Sequence, residues 1–209
     1  RQRFGNARGL NDEVIEAPLC GQFPHLHQQV FAQGAADAAI AHLNQLFLGA
    51  TGGAATAHND AWMTYLHAGN GGLCFIDSVE LDELCQPILV ESRRLLKDTE
   101  GPGRQRGAPS LEVTFGPIGC DVDVAFMSDG TTNGPTGVRG GGAGGQSRQY
   151  LRKVDGTLVA TDQVAVQRVR DGESIISITC GGGGYGNPRD RDPAKVRHDV
   201  AEGWISPER

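Results

Sequence analysis

No apolar run in these 209 residues approaches the ~20 residues needed to cross a bilayer, and no signal peptide is visible at the start. The expectation is a cytoplasmic chain with no membrane partner. No C-x-x-C pair occurs either. Cys20, Cys74, Cys85, Cys120 and Cys180 are widely spaced, which excludes a zinc ribbon or thioredoxin motif and makes free thiols in a reducing compartment the simplest state. A basic stripe interleaved with aromatics is also missing. Net charge is −6, and residues 1–100 carry 6 Lys/Arg against 12 Asp/Glu, so a nucleic-acid role has no electrostatic footprint. There is no internal repeat and no clear linker. The chain opens on Arg1 and closes on "ISPER", which reads like the start of another helix. The expectation is a processed product or a part of something longer.

What is abundant is glycine. The chain holds 31, about twice the roughly 7% average, clustered at 101–107, 137–145 and 181–186 without a collagen-like period. Both "GGGAGG" (140–145) and "GGGGYG" (181–186) satisfy G-x-G-x-x-G. A dinucleotide site also needs a strand before the loop, a helix opening inside it, and a further strand ending in an acidic residue. The first copy runs into a strand-like segment. The second follows a strand, but its helix begins only near Pro193 and no strand follows. Neither continues as Gly-Lys-Ser/Thr. These glycines are expected to let backbones pass where any Cβ would clash, with Tyr185 as an anchor between them.

Periodicity predicts an α+β chain, β-rich in its C-terminal half, with a few helices. Residues 1–32 read as an irregular or extended arm, and 33–209 as the folded region. Ala36, Ile40, Leu43 and Phe47 recur at helical spacing, ending at Gly49. Residues 50–75 read as packed strand and loop. "SVELDELCQPILVESRRLL" reads as a short turn and then an extended run after Pro87. "LEVTF" (111–115) and "DVDVAFM" (121–127) alternate as strands. "QYLRKV-DG-TLVAT" predicts a hairpin with Asp155–Gly156 as a type I′ turn, and a second Asp-Gly turn lies at 171–172 between "QVAVQRV" and "SIISITC". In "NPRDRDPAKVRHDVAEGWIS", Asp192 caps a helix with Pro193 at its first position, Val196 and Val200 on one face, and Gly203 at its end. Arg189 and Arg191 are expected to pair locally with Asp190 and Asp192.

The segment "GGGGYGNPRDRDPAKVRHDVAEGWISPE" resembles the C-terminal signature of the hydantoinase B / oxoprolinase family: a Gly-Gly-Gly-Gly-Tyr-Gly-Asp-Pro run, Arg-Asp-Pro, Val-x-x-Asp-Val and Gly-x-x-Ser-x-Glu, all in register. "LLKDTEGPGRQRGAPS" resembles the family's Asp-Ser-Gly-Gly-Ala-Gly-Arg-x-Arg-Gly-Gly-x-Gly, "SDGTTNGPTGVRGGGAGG" its Pro-x-Gly-x-x-Gly-Gly loop, and "HAGNGG" is a poorer echo of a Gly-Gly-x-Gly-Ala element. The resemblance spans about residues 33–209. Thr99, Glu100, Ala108 and Asn187 depart from it.

The resemblance implies a chain that works with a hydantoinase-A-type partner, which binds and hydrolyses ATP. Together such proteins open cyclic amides (hydantoins, 5-oxoproline, lactams), ATP phosphorylating an unreactive amide oxygen. Relatives carboxylate ketones. ATP and a divalent metal (Mg, Mn or Zn) are implied for the complex, bound by partner chains, because the family's metal-associated N-terminal half has no counterpart here. A second partner would carry that half. A subunit that only holds the assembly together is the non-catalytic alternative.

Candidate substrate-binding residues are Asp98, Arg104 and Arg106 in the family-like glycine loop, and His67 ahead of "AGNGG". An arginine there suits a carboxylate or phosphate in bidentate fashion, and an Asp–Arg pair bracing the loop is the competing use. His25 and His27 share a strand face but lack a third metal ligand nearby. His58, Asn59 and Asp60 form a small polar cluster, His198 lies on a charged helix face, and Cys180 reads as a buried thiol.

Overall fold

The computed structural model describes residues 29–33, 41–45, 51–64, 78–127, 129–162 and 164–208. The chain is α+β and β-rich. Among the described residues, eleven strands and two helices follow in order: β1 (Gln29–Gln33), β2 (Ala41–Gln45), β3 (Thr51–Gly52), β4 (Met63–Thr64), α1 (Val79–Cys85), β5 (Ile88–Leu96), β6 (Ser110–Pro117), β7 (Val122–Met127), β8 (Arg148–Arg152), β9 (Leu158–Ala160), β10 (Val164–Val169), β11 (Ser174–Ile178) and α2 (Pro193–Ala201). They form an antiparallel sheet ordered β10-β7-β1-β2, a second ordered β5-β6-β11-β8-β9, and a two-stranded piece, β3-β4.

Alternation in β6 and β7 builds the core. Leu111, Val113 and Phe115 share one face of β6 with the β11 residue Ile175 and the β8 residue Leu151. Val122, Val124 and Val169 from the other sheet join the same buried cluster with Ile88. Every residue of β6 is buried, as befits a strand paired on both sides by β5 and β11. On its second face, Glu112 is held by Arg94 at 2.7 Å. A bulge between Val90 and Ser92 adds one residue to β5 and re-aims it. That residue, Glu91, meets Arg152 and the Ser174 hydroxyl across the sheet.

Four sequence expectations are corrected. The helix read around Ala36–Phe47 contains β2, paired Ala41↔Gln33 through Gln45↔Gln29 with β1. β1 in turn pairs with β7, so sheet pairing overrides a local period too short to decide the matter. The remainder of that helix lies outside the described residues, as do residues 1–28 of the arm. The boundary drawn at residue 32 falls inside β1.

The turn read at "VELDELC" is the helix α1. Glu80 and Asp82 lie in its first turn, where carboxylates suit the helix dipole. It stops at Gln86, ahead of a proline that disfavours helical geometry in the preceding residue. The Glu83 carboxylate then accepts the Val90 N–H at 2.7 Å, tying the helix to β5.

The hairpin β8–β9 is present, but Asp155–Gly156 is not a type I′ turn. Only Gly156 has positive φ, +85°, whereas type I′ needs it at both central residues. The Gly156 N–H donates to the Lys153 carbonyl and the Lys153 N–H to the Thr157 carbonyl, each at 2.9 Å. That is a type I turn closed by a glycine bulge. The Asp155 carboxylate accepts the Thr157 N–H, so the aspartate acts through its side chain. The local pairing expected of Arg191 also gives way, to ion pairs with Asp60 and Asp199.

Helix α2 follows its sequence signals closely. The Asp192 carboxylate accepts the Ala194 N–H at 2.8 Å, and Pro193 occupies the first turn. At the other end Gly203 has φ +74°. Its N–H donates to the Val200 carbonyl, and the Trp204 N–H to that of Asp199, the paired bonds of a Schellman motif. Asp192→Ala should cost ~1 kcal/mol through the lost cap, read as a lower urea midpoint with unchanged slope.

Candidate functional site

The glycine-rich segments converge. Residues 52–55, 99–108, 137–145 and 181–186 lie side by side and exchange backbone hydrogen bonds. The 181–186 N–H groups are largely committed: Gly181 to Gly145 O, Gly182 to Ala108 O, Gly184 to Gly142 O, Tyr185 to Gln105 O and Gly186 to Val138 O, all at 2.7–3.0 Å. A phosphate loop works by leaving such N–H groups pointed at a ligand. Here five of them are spent on neighbouring strands of backbone.

Close approach is the reason for glycine. A Cβ on Gly182 would lie 1.7 Å from the Gly53 carbonyl oxygen, and one on Gly107 would lie 1.9 Å from that of Gly182. Gly181 through Gly184 are all buried. Cys180, immediately before them, is half-buried and unpaired to any other cysteine.

A charged network ties Asp60 and the 104–106 loop to the C-terminal segment. Arg191 does not pair with its neighbours Asp190 and Asp192. Its guanidinium reaches Asp60 in bidentate fashion, at 2.7 and 3.2 Å, and Asp199 at 2.6 Å. It also donates to the Arg104 carbonyl at 3.2 Å. Arg106 Nε lies 3.0 Å from the second oxygen of Asp199, and the Trp204 ring lies under the Arg106 guanidinium at 4.4 Å. Lys195 Nζ is 3.3 Å from Asp60 and 2.8 Å from Gln105 Oε1. Burial pushes the Asp60 carboxyl up, but the Arg191 hydrogen bond, the Arg106 N–H and the charges of Arg191 and Lys195 outweigh it, and the group sits below its ordinary value. For Arg191, burial acts downward and the two carboxylates prevail, holding the guanidinium charged.

The sequence candidates therefore divide. The Arg106 side chain is buried inside the network, with Nη1 donating to the carbonyls of Ala61 and Gly107. Asp98 has φ +62°, and its carboxylate accepts the Ser206 N–H at 2.8 Å; the Asp98 N–H donates to the Trp204 carbonyl. Both residues fasten the 98–107 loop to the C-terminal segment. Arg104 differs in being exposed. Its guanidinium donates to the Ala57 carbonyl at 3.1 Å and lies 6.0 Å from the Tyr185 ring centroid. His67, His25 and His27 lie outside the described residues. His58 is exposed, and its carbonyl receives the Gln105 amide. His198 is on the helix surface, edge-on to Trp204 at 5.7 Å.

Asn187, where the resemblance expects Asp, accepts the Arg189 N–H at 3.0 Å and caps a short 3-10 turn, Pro188–Asp190. Asp60, Arg191 and Asp199 were not legible as a unit, since Asp60 and Arg191 are 131 residues apart. Among the described residues no group of three or more His, Cys, Asp or Glu is arranged to hold a metal, and no helix is long and apolar enough to span a membrane.

The chain resembles known proteins in sequence and in fold. The chain is 30% identical over 143 residues to the beta subunit of caprolactamase from Pseudomonas jessenii, covering 65% of this chain and 24% of that protein. It is 26% identical over 133 residues to the B subunit of a putative D-/L-hydantoinase from Pseudomonas sp. (strain NS671), covering 59% and 21%. The chain thus spans about a quarter of the length of these relatives.

The fold matches the crystal structure of ATP-dependent caprolactamase from Pseudomonas jessenii with a TM-score of 0.68 at 23% identity, over 86% of this chain and 32% of that one. It matches a nucleotide-free acetone carboxylase structure with a TM-score of 0.61 at 20% identity, over 87% and 28%. The Hydantoinase B/oxoprolinase family profile matches residues 14–188, and the chain belongs to that family.

Proposed function

We propose that this chain is a C-terminal portion of a hydantoinase-B-type subunit, acting in a cytoplasmic complex that opens a cyclic amide at the expense of ATP. The supporting observation is the glycine block. Its segments carry the family resemblance, its N–H groups are bound internally, and its exposed edge presents Arg104 on a braced loop. A hydantoinase-A-type partner would bind ATP, and a further chain or segment would supply the N-terminal half with its divalent metal. ATP contributes a phosphoryl group that converts the amide oxygen into a leaving group. This chain's residues then orient the activated substrate: Arg104 contacts it directly, Asp98 and Arg106 hold the loop, and His67, ahead of "AGNGG" in the sequence, is a further candidate contact.

A ketone carboxylase is the second reading, favoured by the fold likeness to acetone carboxylase. Co-expression with a hydantoinase-A-type partner and an N-terminal-half chain separates the two. ADP release coupled to ring opening of ε-caprolactam, hydantoin or 5-oxoproline without bicarbonate supports the hydrolase. Bicarbonate-dependent carboxylation of a ketone supports the alternative. A lone chain that opens a lactam without ATP overturns both.

A further inference from the structure

Three arginines from three separate loops are carried around one turn, Tyr185–Arg189. The Arg104 N–H donates to the Gly186 carbonyl at 3.2 Å, and a Cβ on Gly186 would sit 3.2 Å from the Arg104 Cβ. The Gly186 N–H donates to Val138 O, and the Val138 N–H to Gly184 O, both at 3.0 Å. These bonds place Arg139 beside the turn, and a Cβ on the next residue, Gly140, would lie 3.7 Å from the Asn187 nitrogen. Arg189 is fixed through its N–H on the Asn187 side chain.

All three arginines are exposed. Among the described residues none of them forms an ion pair, in contrast to Arg94, Arg106, Arg152, Arg168 and Arg191. The Asp192 carboxylate is engaged as the α2 cap, and Asp60 is engaged by Arg191 and Lys195. Asp190 is exposed on the same turn.

Arg139 adds a second signal. Its φ is +52°, in a region that L side chains adopt at a cost and that glycine occupies without one. It sits in "TGVRGGG", where glycine is plentiful, so keeping a side chain at that position is a local conflict of the kind found at ligand sites. Guanidinium is the suitable group for a tetrahedral anion: planar, always charged at working pH, and able to donate two parallel hydrogen bonds. Rigid backbone bonding under all three residues supplies preorganisation.

We propose that Arg104, Arg139 and Arg189 form an anion site that receives a phosphoryl group, either on the ATP-activated substrate or as released phosphate. The physiological assignment rests on the ATP-dependent reading above; the binding site itself does not.

The first measurement uses the full chain with inorganic phosphate as probe, against chloride at matched ionic strength, followed by calorimetry and thermal shift. Wild type should bind phosphate. Arg104→Gln, Arg139→Gln and Arg189→Gln should each weaken it about tenfold or more, and the triple variant should not bind while melting cooperatively. Arg139→Lys should recover only part of the loss, because the bidentate fork is gone. A wild type that does not bind phosphate, or a triple variant that binds it equally, overturns the site.

The second measurement uses the reconstituted complex in single turnover. If the site holds the activated substrate, the triple variant should release ADP normally while ring-opened product falls about tenfold or more. If it holds released phosphate, the double variant Arg139→Gln/Arg189→Gln, which leaves Arg104 in place, keeps product formation and loses only inhibition by phosphate. Arginine-dependent phosphate binding without ATP-dependent turnover on any lactam or ketone would retain the site and overturn the enzymatic reading.

Discussion

Gly182→Ala should abolish the soluble fold, whereas Gly119→Ala should be tolerated. The Cβ added at Gly182 meets only backbone: Gly53 O at 1.7 Å, Gly53 C at 2.5 Å and Ala108 N at 2.8 Å. No rotamer change relieves such a contact. The 52–55 and 101–108 segments would have to separate from the 181–186 segment, breaking the bonds Gly182 N–H to Ala108 O, Gly101 N–H to Gly182 O and Ala55 N–H to Gly183 O. Overpacking of an ordinary core costs ~1–3 kcal/mol because side chains yield. Here nothing can yield, and a loss of at least ~4 kcal/mol is expected, a large share of a typical stability of ~5–15 kcal/mol. Gly119 has open space around its missing Cβ, and only its positive φ, +68°, opposes a side chain, at ~1–2 kcal/mol. Soluble yield and urea midpoints of the two variants check this. Comparable behaviour of both would mean that the glycine block is looser than its hydrogen bonds indicate.

The contrast between these two glycines also marks how far the sequence could be read. Close packing of the glycine runs was legible, since two fingerprint matches failed on their flanking elements and left backbone proximity as the remaining use. Strands β6, β7, β8, β10 and β11 and helix α2 were legible because their periods, caps and terminators lie within a few residues of one another. What was not legible depends on distant partners. β2 exists because β7 and β1 form a sheet beside it. The Asp155 turn is decided by whether the φ of one aspartate is positive. Arg106 and Arg104 look alike two residues apart, yet one faces Asp199 and Trp204 and the other faces solvent. Arg139 carried no local signal, and the local signal at Arg189 pointed to pairing with Asp190 or Asp192, where no ion pair forms among the described residues. The two arginines become a pair of neighbours only when the 138–140 loop is bonded to the 184–187 turn.

Arg191→Met should lower stability by ~3–5 kcal/mol at neutral pH, and the deficit should shrink as acid protonates the stranded carboxylates. The side chain is nearly buried between two carboxylates, with Asp199 almost wholly enclosed. Removing one member of a buried ion pair leaves the other charge uncompensated, and that is costlier than never having built the pair. In the wild type the Asp60 carboxyl is held below its ordinary value of 3.8 in the folded state. A carboxyl depressed on folding contributes stability that is complete above its unfolded pKa and disappears as pH falls through the lower, folded value. The wild-type acid limb should therefore begin below about pH 4. In the variant the burial that raises the Asp60 pKa persists, while the Arg191 hydrogen bond and charge are gone. The folded carboxyl then titrates higher, so it no longer contributes a loss of stability in acid, and the gap between wild type and variant narrows as pH falls through about 4. Urea midpoints between about pH 3 and 7 test both effects. The double variant Arg191→Met/Asp60→Asn should recover part of the loss at neutral pH, because the stranded carboxylate is removed with its partner. Equal stability of wild type and Arg191→Met across that range would place the cohesion of the C-terminal helix in the glycine block and Trp204 instead of in the ionic network.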